Sequence, residues 1–191
     1  MTLYNILIIG YGSVGEKHHY VLKKLLNNVK YFALRSKKSN KEISGVKNIF
    51  DINEIKEINF DFIIISNPTK FHNEALKQAL YFECPIFIEK PVLYDLELAD
   101  EFINTIKDKK IITYVACNLR FNKTIVKLKE LLKLKTVGKI YEVSIYCGSN
   151  VSEWRPNQEK SDLINTVNLS GGVNIDLIHE LDYAYWFFGL P

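Results

Sequence analysis

The stretch that most constrains this chain runs from Leu3 to His19, LYNILIIGYGSVGEKHH. It opens with Ile6, Leu7, Ile8 and Ile9, an apolar run rich in β-branched residues and too short to be a helix of its own. Glycines follow at Gly10, Gly12 and Gly15, and a helical pattern with Val14, Val21, Leu22, Leu25 and Leu26 roughly on one face comes next. Strand, glycine turn and helix in that order form the setting a dinucleotide fingerprint needs. Gly10 permits the tight turn, Gly12 lets the backbone approach a pyrophosphate, and Gly15 lets the helix pack closely on the strand. The helix N-terminus offers free N–H groups and a positive dipole end to phosphates. The whole loop, with Tyr11, Ser13 and Val14, is therefore a candidate cofactor-binding element.

The pattern continues beyond this unit. Residues 30–34 read as a second strand, 46–50 as a third, and Asp51 as the N-cap of a short helix reaching Ile58. The run 61–66 (DFIIIS) is apolar throughout, as expected for a parallel strand buried on both faces. A helix over 70–82 should turn Ala75, Leu76, Ala79 and Leu80 inward. A strand over 85–88 follows, then a helix capped by Asp95 with Leu96, Leu98, Ala99, Phe102, Ile103 and Ile106 as its apolar face, then a strand over 111–116. Alternation of this kind predicts an α/β, doubly wound parallel sheet. Ligands of such sheets lie at the carboxyl ends of the strands. Residues 10–15, 35–38, 66–68 and 89–91 all fall at such ends, which makes Ser66, Asn67, Pro68, Glu89 and Lys90 further candidates.

The loop after the second strand bears on which dinucleotide is used. NAD-binding chains place an Asp or Glu about 20 residues past the glycines, on the ribose 2′-hydroxyl. Here Arg35 and Ser36 stand there, followed by Lys37 and Lys38, and no carboxylate comes before Glu42. A guanidinium and a hydroxyl suit a 2′-phosphate. NADP is thus expected in preference to NAD, with a solvated basic loop as the competing reading.

The character changes after about residue 118. Residues 121–134 read as a Lys-rich amphipathic helix, and 139–148 (KIYEVSIYCG) alternate in part, suggesting a long antiparallel strand. Residues 150–168 are a polar loop carrying Trp154 and Arg155, and Gly171 and Gly172 precede a last helix through Phe188. Domains at 1–118 and 119–191 are expected. The 191 residues allow one large domain or one domain and part of another, and an apolar fraction of 47% supports a real core. A net charge of +3 from scattered lysines does not imply nucleic acid. Cys84, Cys117 and Cys147 are few and unclustered, which argues against a disulfide framework or a zinc site, so no metal is expected. No apolar run approaches membrane-spanning length and the first residues read as strand rather than signal peptide, so a cytoplasmic protein is expected.

GYGSVGEKHH at 10–19, NPTKFHNEAL at 67–76, IEKPV at 88–92 and GGVNIDLIHELDYAYWFFG at 171–189 occur in that order. Together they resemble the glucose–fructose oxidoreductase / inositol dehydrogenase / MocA (Gfo/Idh/MocA) family. The resemblance implies an N-terminal Rossmann domain and a C-terminal, mostly antiparallel domain that binds substrate and builds homo-oligomers, here only in its opening part. It implies hydride transfer between NAD(P) and a hydroxyl or carbonyl carbon, usually of a sugar or polyol. It also implies that Lys90 reaches the substrate oxygen and nicotinamide, that Pro91 follows a cis bond, and that His72 lies near the cofactor.

The residues suit that chemistry when read alone. Removing a hydride from a carbinol needs a base for the hydroxyl proton, and His179 is the natural carrier. Asp176 and Asp182 flank it three residues away on either side, so each shares a helix face with it. The ammonium of Lys90 can polarise a carbonyl or stabilise an alkoxide. Catalytic candidates are Lys90, His179 and Asp176, although the family commonly spaces the last Asp and His four apart rather than three. Substrate-facing candidates are Lys90, Arg120, Trp154, Arg155, Asp176 and His179. Other readings stay open: a local helix-face role for His72, a structural bond for Asp182, and a solvent-facing or phosphate-side role for His18 and His19. At the level of function, a non-catalytic NAD(P)-binding or regulatory subunit competes with the enzyme, as does a reductase of a non-sugar carbonyl or imine.

Overall fold

The computed structural model describes residues 3–36, 42–148, 175 and 177–190. The chain divides into two compact units, Met1–Ala116 and Cys117–Pro191. In the first, β1 (Tyr4–Ile9), β2 (Val29–Leu34), β3 (Val46–Ile49), β4 (Phe62–Ile65), β5 (Ile86–Ile88) and β6 (Thr113–Val115) form one sheet in the order β3-β2-β1-β4-β5-β6. Every ladder is parallel. The order reverses between β1 and β4, and that crevice is where sheets of this kind bind ligands. This is the α/β doubly wound architecture expected from the sequence.

The sheet forms because its strands bury both faces. Leu7 and Ile9 point one way with Ile63, Ile65, Ile86 and Ile88, into a core closed by α2 (His72–Leu80) and α3 (Ala99–Asp108). Ile6, Ile8, Tyr31, Ala33 and Ile64 are also buried. A side chain of this size contributes about 2–3 kcal/mol on full burial, so alternation between faces makes both layers stable. α2 turns Ala75, Leu76, Ala79 and Leu80 inward, as the pattern predicts. Cys84 sits in the same core, where burial pushes its thiol up to about 11.

Four details differ from expectation. In α1 (Ser13–Leu25) the buried residues are Gly15 and His19, whereas Val14, Val21 and Leu25 are exposed. The segment after Asp51 is a single 3-10 turn, Ile52–Ile55, closed by a capping box between Asp51 and Glu54. α3 begins at Ala99 with Leu98 as its N-cap, so Leu96 and Ile103 are exposed while Phe102 is buried. Asp95 is not that cap; its carboxylate accepts from Asn73 and from the backbone of Glu97.

In the second unit, α4 (Lys123–Lys133) is capped by Asn122, and α5 (Ile178–Phe188) ends at Gly189. The expected strand over 139–148 has no ladder to any described residue. Alternation fixes which side chains share a face, but a strand also needs a backbone partner. No helix among the described residues is long and apolar enough to cross a membrane.

The crevice between β1 and β4 is closed by backbone. Gly10 has φ +86°, and a Cβ there would stand 2.4 Å from the backbone of Asn67. Gly10→Ala is expected to lower unfolding stability by about 3 kcal/mol, by strain at positive φ and collision with backbone. Gly12→Ala, whose Cβ meets nothing within 4 Å, should change it by less than about 1 kcal/mol. Urea unfolding of both variants checks the contrast.

Candidate cofactor site and its neighbours

β1 delivers the chain to the crevice, and the loop after it turns at Gly10, whose N–H donates to the Leu34 carbonyl. Gly15 lies against the loop from behind: a Cβ there would be 2.4 Å from the Gly10 carbonyl and 3.3 Å from Ile8. That contact sets the rotation of α1 and explains why Gly15 and His19 face inward. Ser66, at the end of β4, is buried and donates its hydroxyl to the Gly10 carbonyl at 2.7 Å. Its hydroxyl thus supports the loop rather than facing the crevice. Gly12 caps α1 without a side-chain hydrogen bond, and Ser13 and Val14 are exposed beside it. Free N–H groups, a dipole end and open space above Gly12 fit the pyrophosphate of a dinucleotide.

Tyr11 leans away from the glycines. Its hydroxyl is hydrogen-bonded to His19 Nδ1, and His19 packs edge-on against Tyr31 with ring centroids 4.4 Å apart. Burial, with the Lys23 charge added and Glu16 opposing, pulls His19 down from its ordinary value, so the ring is neutral and accepts from Tyr11. Burial and Glu16 push the Tyr11 phenol up, and Arg35 opposes them. Arg35 follows β2, donates Nη1 to Asn48 Oδ1 at 3.1 Å, and sits beside exposed Ser36. Lys37 and Lys38 lie outside the described residues.

The turn after β4 carries half-buried Asn67 and exposed Pro68. Asn67 donates Nδ2 to the Phe71 carbonyl, and its Oδ1 is buried with no hydrogen-bond partner. His72 is 1% exposed, with both ring nitrogens on backbone carbonyls, those of Pro91 and Asn67. Its ring is thus enclosed between the turn after β4 and the loop after β5. After β5 come Glu89 and Lys90, both half-buried, and the Lys90–Pro91 bond is cis. Glu89 is held by His18, Nε2 to Oε1, at 2.7 Å.

The sequence left His18 and His19 between a solvent-facing and a phosphate-side role. Adjacent positions on one helix diverge, half-buried His18 to Glu89 and buried His19 to Tyr11. Their spacing from Gly15, three and four residues, was the available signal, because those positions share a helix face.

In the second unit, Arg120 binds Asp182 with both arms of its fork, Nε to Oδ2 at 3.0 Å and Nη2 to Oδ1 at 2.6 Å. Arg120 also lies 5.6 Å from the Trp186 ring, and Lys129 lies 3.6 Å from it. The structure thus gives Arg120 a structural anchor, where the sequence suggested a substrate contact. Burial opposes ionisation of Asp182, but hydrogen bonds from Arg120 and Cys117 and the charges of Arg120 and His179 hold its carboxyl below the usual value. His179 is half-buried on the first turn of α5. Asp176, Trp154 and Arg155 lie outside the described residues.

The sheet order, the glycine loop at its switch point and the uncapped helix define a dinucleotide-binding Rossmann domain. Residues 4–117 match the family described as "Oxidoreductase family, NAD-binding Rossmann fold", and the chain belongs to it, the Gfo/Idh/MocA oxidoreductases. It is 26% identical over 189 residues to myo-inositol 2-dehydrogenase of Thermotoga maritima, covering 95% of this chain and 54% of that protein. The crystal structure of myo-inositol 2-dehydrogenase from Lactobacillus plantarum is similar at TM-score 0.82 and 28% identity, over 98% of this chain and 57% of that one. The WlbA (WbpB) dehydrogenase of Thermus thermophilus, crystallised with NAD and alpha-ketoglutarate, shares the fold at TM-score 0.71 and 17% identity, over 98% and 63%. This chain spans about half the length of the curated relatives it matches.

The lowered carboxyl of Asp182 predicts an acid-dependent stability. Its contribution is present above the ordinary value of 3.8 and is lost as the pH falls through the lower folded value. Asp182→Asn is expected to cost about 1–2 kcal/mol at neutral pH, discounted for partial exposure. It should also remove part of the loss of stability below about pH 4, measured as urea midpoints across a pH series.

Proposed function

We propose that this chain is an NADP-preferring oxidoreductase that moves a hydride between the nicotinamide and a hydroxyl or carbonyl carbon of a sugar or polyol. The carrying observation is the glycine loop at the switch point, with an uncapped helix end and open space at Gly12. When bound, the nicotinamide supplies the hydride acceptor or donor. Lys90, on the loop after β5, polarises the substrate oxygen as a carbonyl gains or a carbinol loses its hydride. His179 takes the hydroxyl proton in oxidation and returns it in reduction. The inositol dehydrogenases among the relatives support a polyol as the substrate class. Arg35 and Ser36 support NADP, because the guanidinium and hydroxyl can bind a 2′-phosphate where NAD-binding chains use a carboxylate. The second unit, by the same resemblance, serves substrate binding and self-association.

Titration with NADPH and NADH, followed by nicotinamide fluorescence, tests the cofactor reading. NADPH should bind roughly tenfold more tightly or better, and Arg35→Ala should remove most of that difference while leaving NADH nearly unchanged. Equal affinities would contradict the NADP preference, and no binding of either would contradict the cofactor site. With binding shown, reduction of NADP by a panel of polyols separates the enzyme from a non-catalytic binding subunit.

A further inference from the structure

His72 opens α2 and is 1% exposed, so its ring is out of reach of bulk water. Nδ1 lies 2.6 Å from the Pro91 carbonyl oxygen, and Nε2 lies 2.9 Å from the Asn67 carbonyl oxygen. A carbonyl oxygen accepts and never donates, so each contact needs a proton on the ring. A neutral imidazole has one N–H and would set a nitrogen lone pair against an oxygen lone pair at its other end. Turning the ring over gives no escape. It would bring ring carbons to the two oxygens at the same separations, well inside the roughly 3.3 Å of a C–H···O contact. We infer that His72 holds both ring protons and, as an imidazolium, bridges the turn after β4 to the loop after β5, acting as a positioning residue for Lys90.

The two bridged carbonyls belong to the loops that build the proposed site. Asn67 is the residue whose backbone Gly10 packs against, and Pro91 is joined to Lys90 by the cis bond. One buried cation therefore fixes the glycine loop, the Asn67 turn and the Lys90 loop relative to one another, through two charge-assisted hydrogen bonds. The charged groups on the elements packed around it are Glu89 and Lys90 after β5, Lys70 and Glu74 on its own segment, and Asp95 beyond the proline. Asn73, next to His72, adds a second tie to the same loop by accepting from the Tyr94 N–H and donating to Asp95. The positioning role rests on the function proposed above; the proton count does not.

The test begins without cofactor. In the full chain labelled with 15N-histidine, nitrogen–proton correlation at neutral pH should show both His72 ring nitrogens protonated. One nitrogen at the unprotonated shift overturns the inference. The wild-type spectrum alone decides this, whether or not a variant folds. Couplings across the hydrogen bonds should join the two ring nitrogens to the carbonyl carbons of Asn67 and Pro91, and either coupling missing overturns the bridge. NADPH affinity should then fall roughly tenfold in His72→Gln, with the Lys90 backbone amide shifted in the same variant. An unchanged affinity, or a Lys90 amide that does not move, overturns the positioning role. A chain that binds no nicotinamide contradicts the proposed function instead, with the bridge still decided by the ring and carbonyl resonances.

Discussion

The contact on which the rest of this fold depends is the approach of Gly10 to the backbone of Asn67, where the sheet order reverses. Two parallel strands, β1 and β4, end side by side there, and their chains leave in opposite directions. No side chain fits between them, since even a Cβ at Gly10 would stand 2.4 Å from Asn67. The tight turn brings the start of α1 to the strand ends, and Gly15 lets the helix lie on Ile8. An anion-binding helix end at the switch point follows from these two close approaches.

Polar groups then fix what the glycines leave free. Ser66 holds the Gly10 carbonyl from below, His18 holds Glu89, and His72 reaches both Asn67 and Pro91. Each links loops that follow different strands, so the carboxyl edge of the sheet is cross-tied rather than carried by separate loops. The second unit has its own tie, the Arg120–Asp182 fork between the turn before α4 and helix α5. There the negative charge survives burial because hydrogen bonds from Arg120 and Cys117 and the charges of Arg120 and His179 favour it.

Much of this was legible in the sequence, for physical reasons. A parallel strand buried on both faces must be apolar throughout, so the runs at 6–9 and 62–65 announce themselves. The inward face of α2 follows from its spacing alone. The inward face of α1 did not, because its rotation is set by Gly15 meeting the Gly10 carbonyl and Ile8, not by its apolar residues. Val14 and Val21 are left outside, and His19 is taken in. Asp95 looked like a helix cap but is engaged by Asn73, a residue on another element that no local pattern names. The partners of Ser66, His72 and Arg120 were hidden for the same reason: residue type and position were readable, but the groups they bond lie 56, 19 and 62 residues away. The alternating stretch at 139–148 shows the complementary limit, since pattern cannot supply a ladder partner.

The central claim is that the carboxyl edge of this sheet, organised at the Gly10–Asn67 contact, is the dinucleotide site. Residue-resolved backbone amide shifts recorded during addition of NADPH test it most directly. The account predicts that the largest changes fall at Gly10 to Val14, at Arg35 and Ser36, at Asn67 and at Lys90, with β-strand amides at the opposite sheet edge unmoved. Changes absent from the glycine loop, or centred elsewhere on the chain, would contradict it.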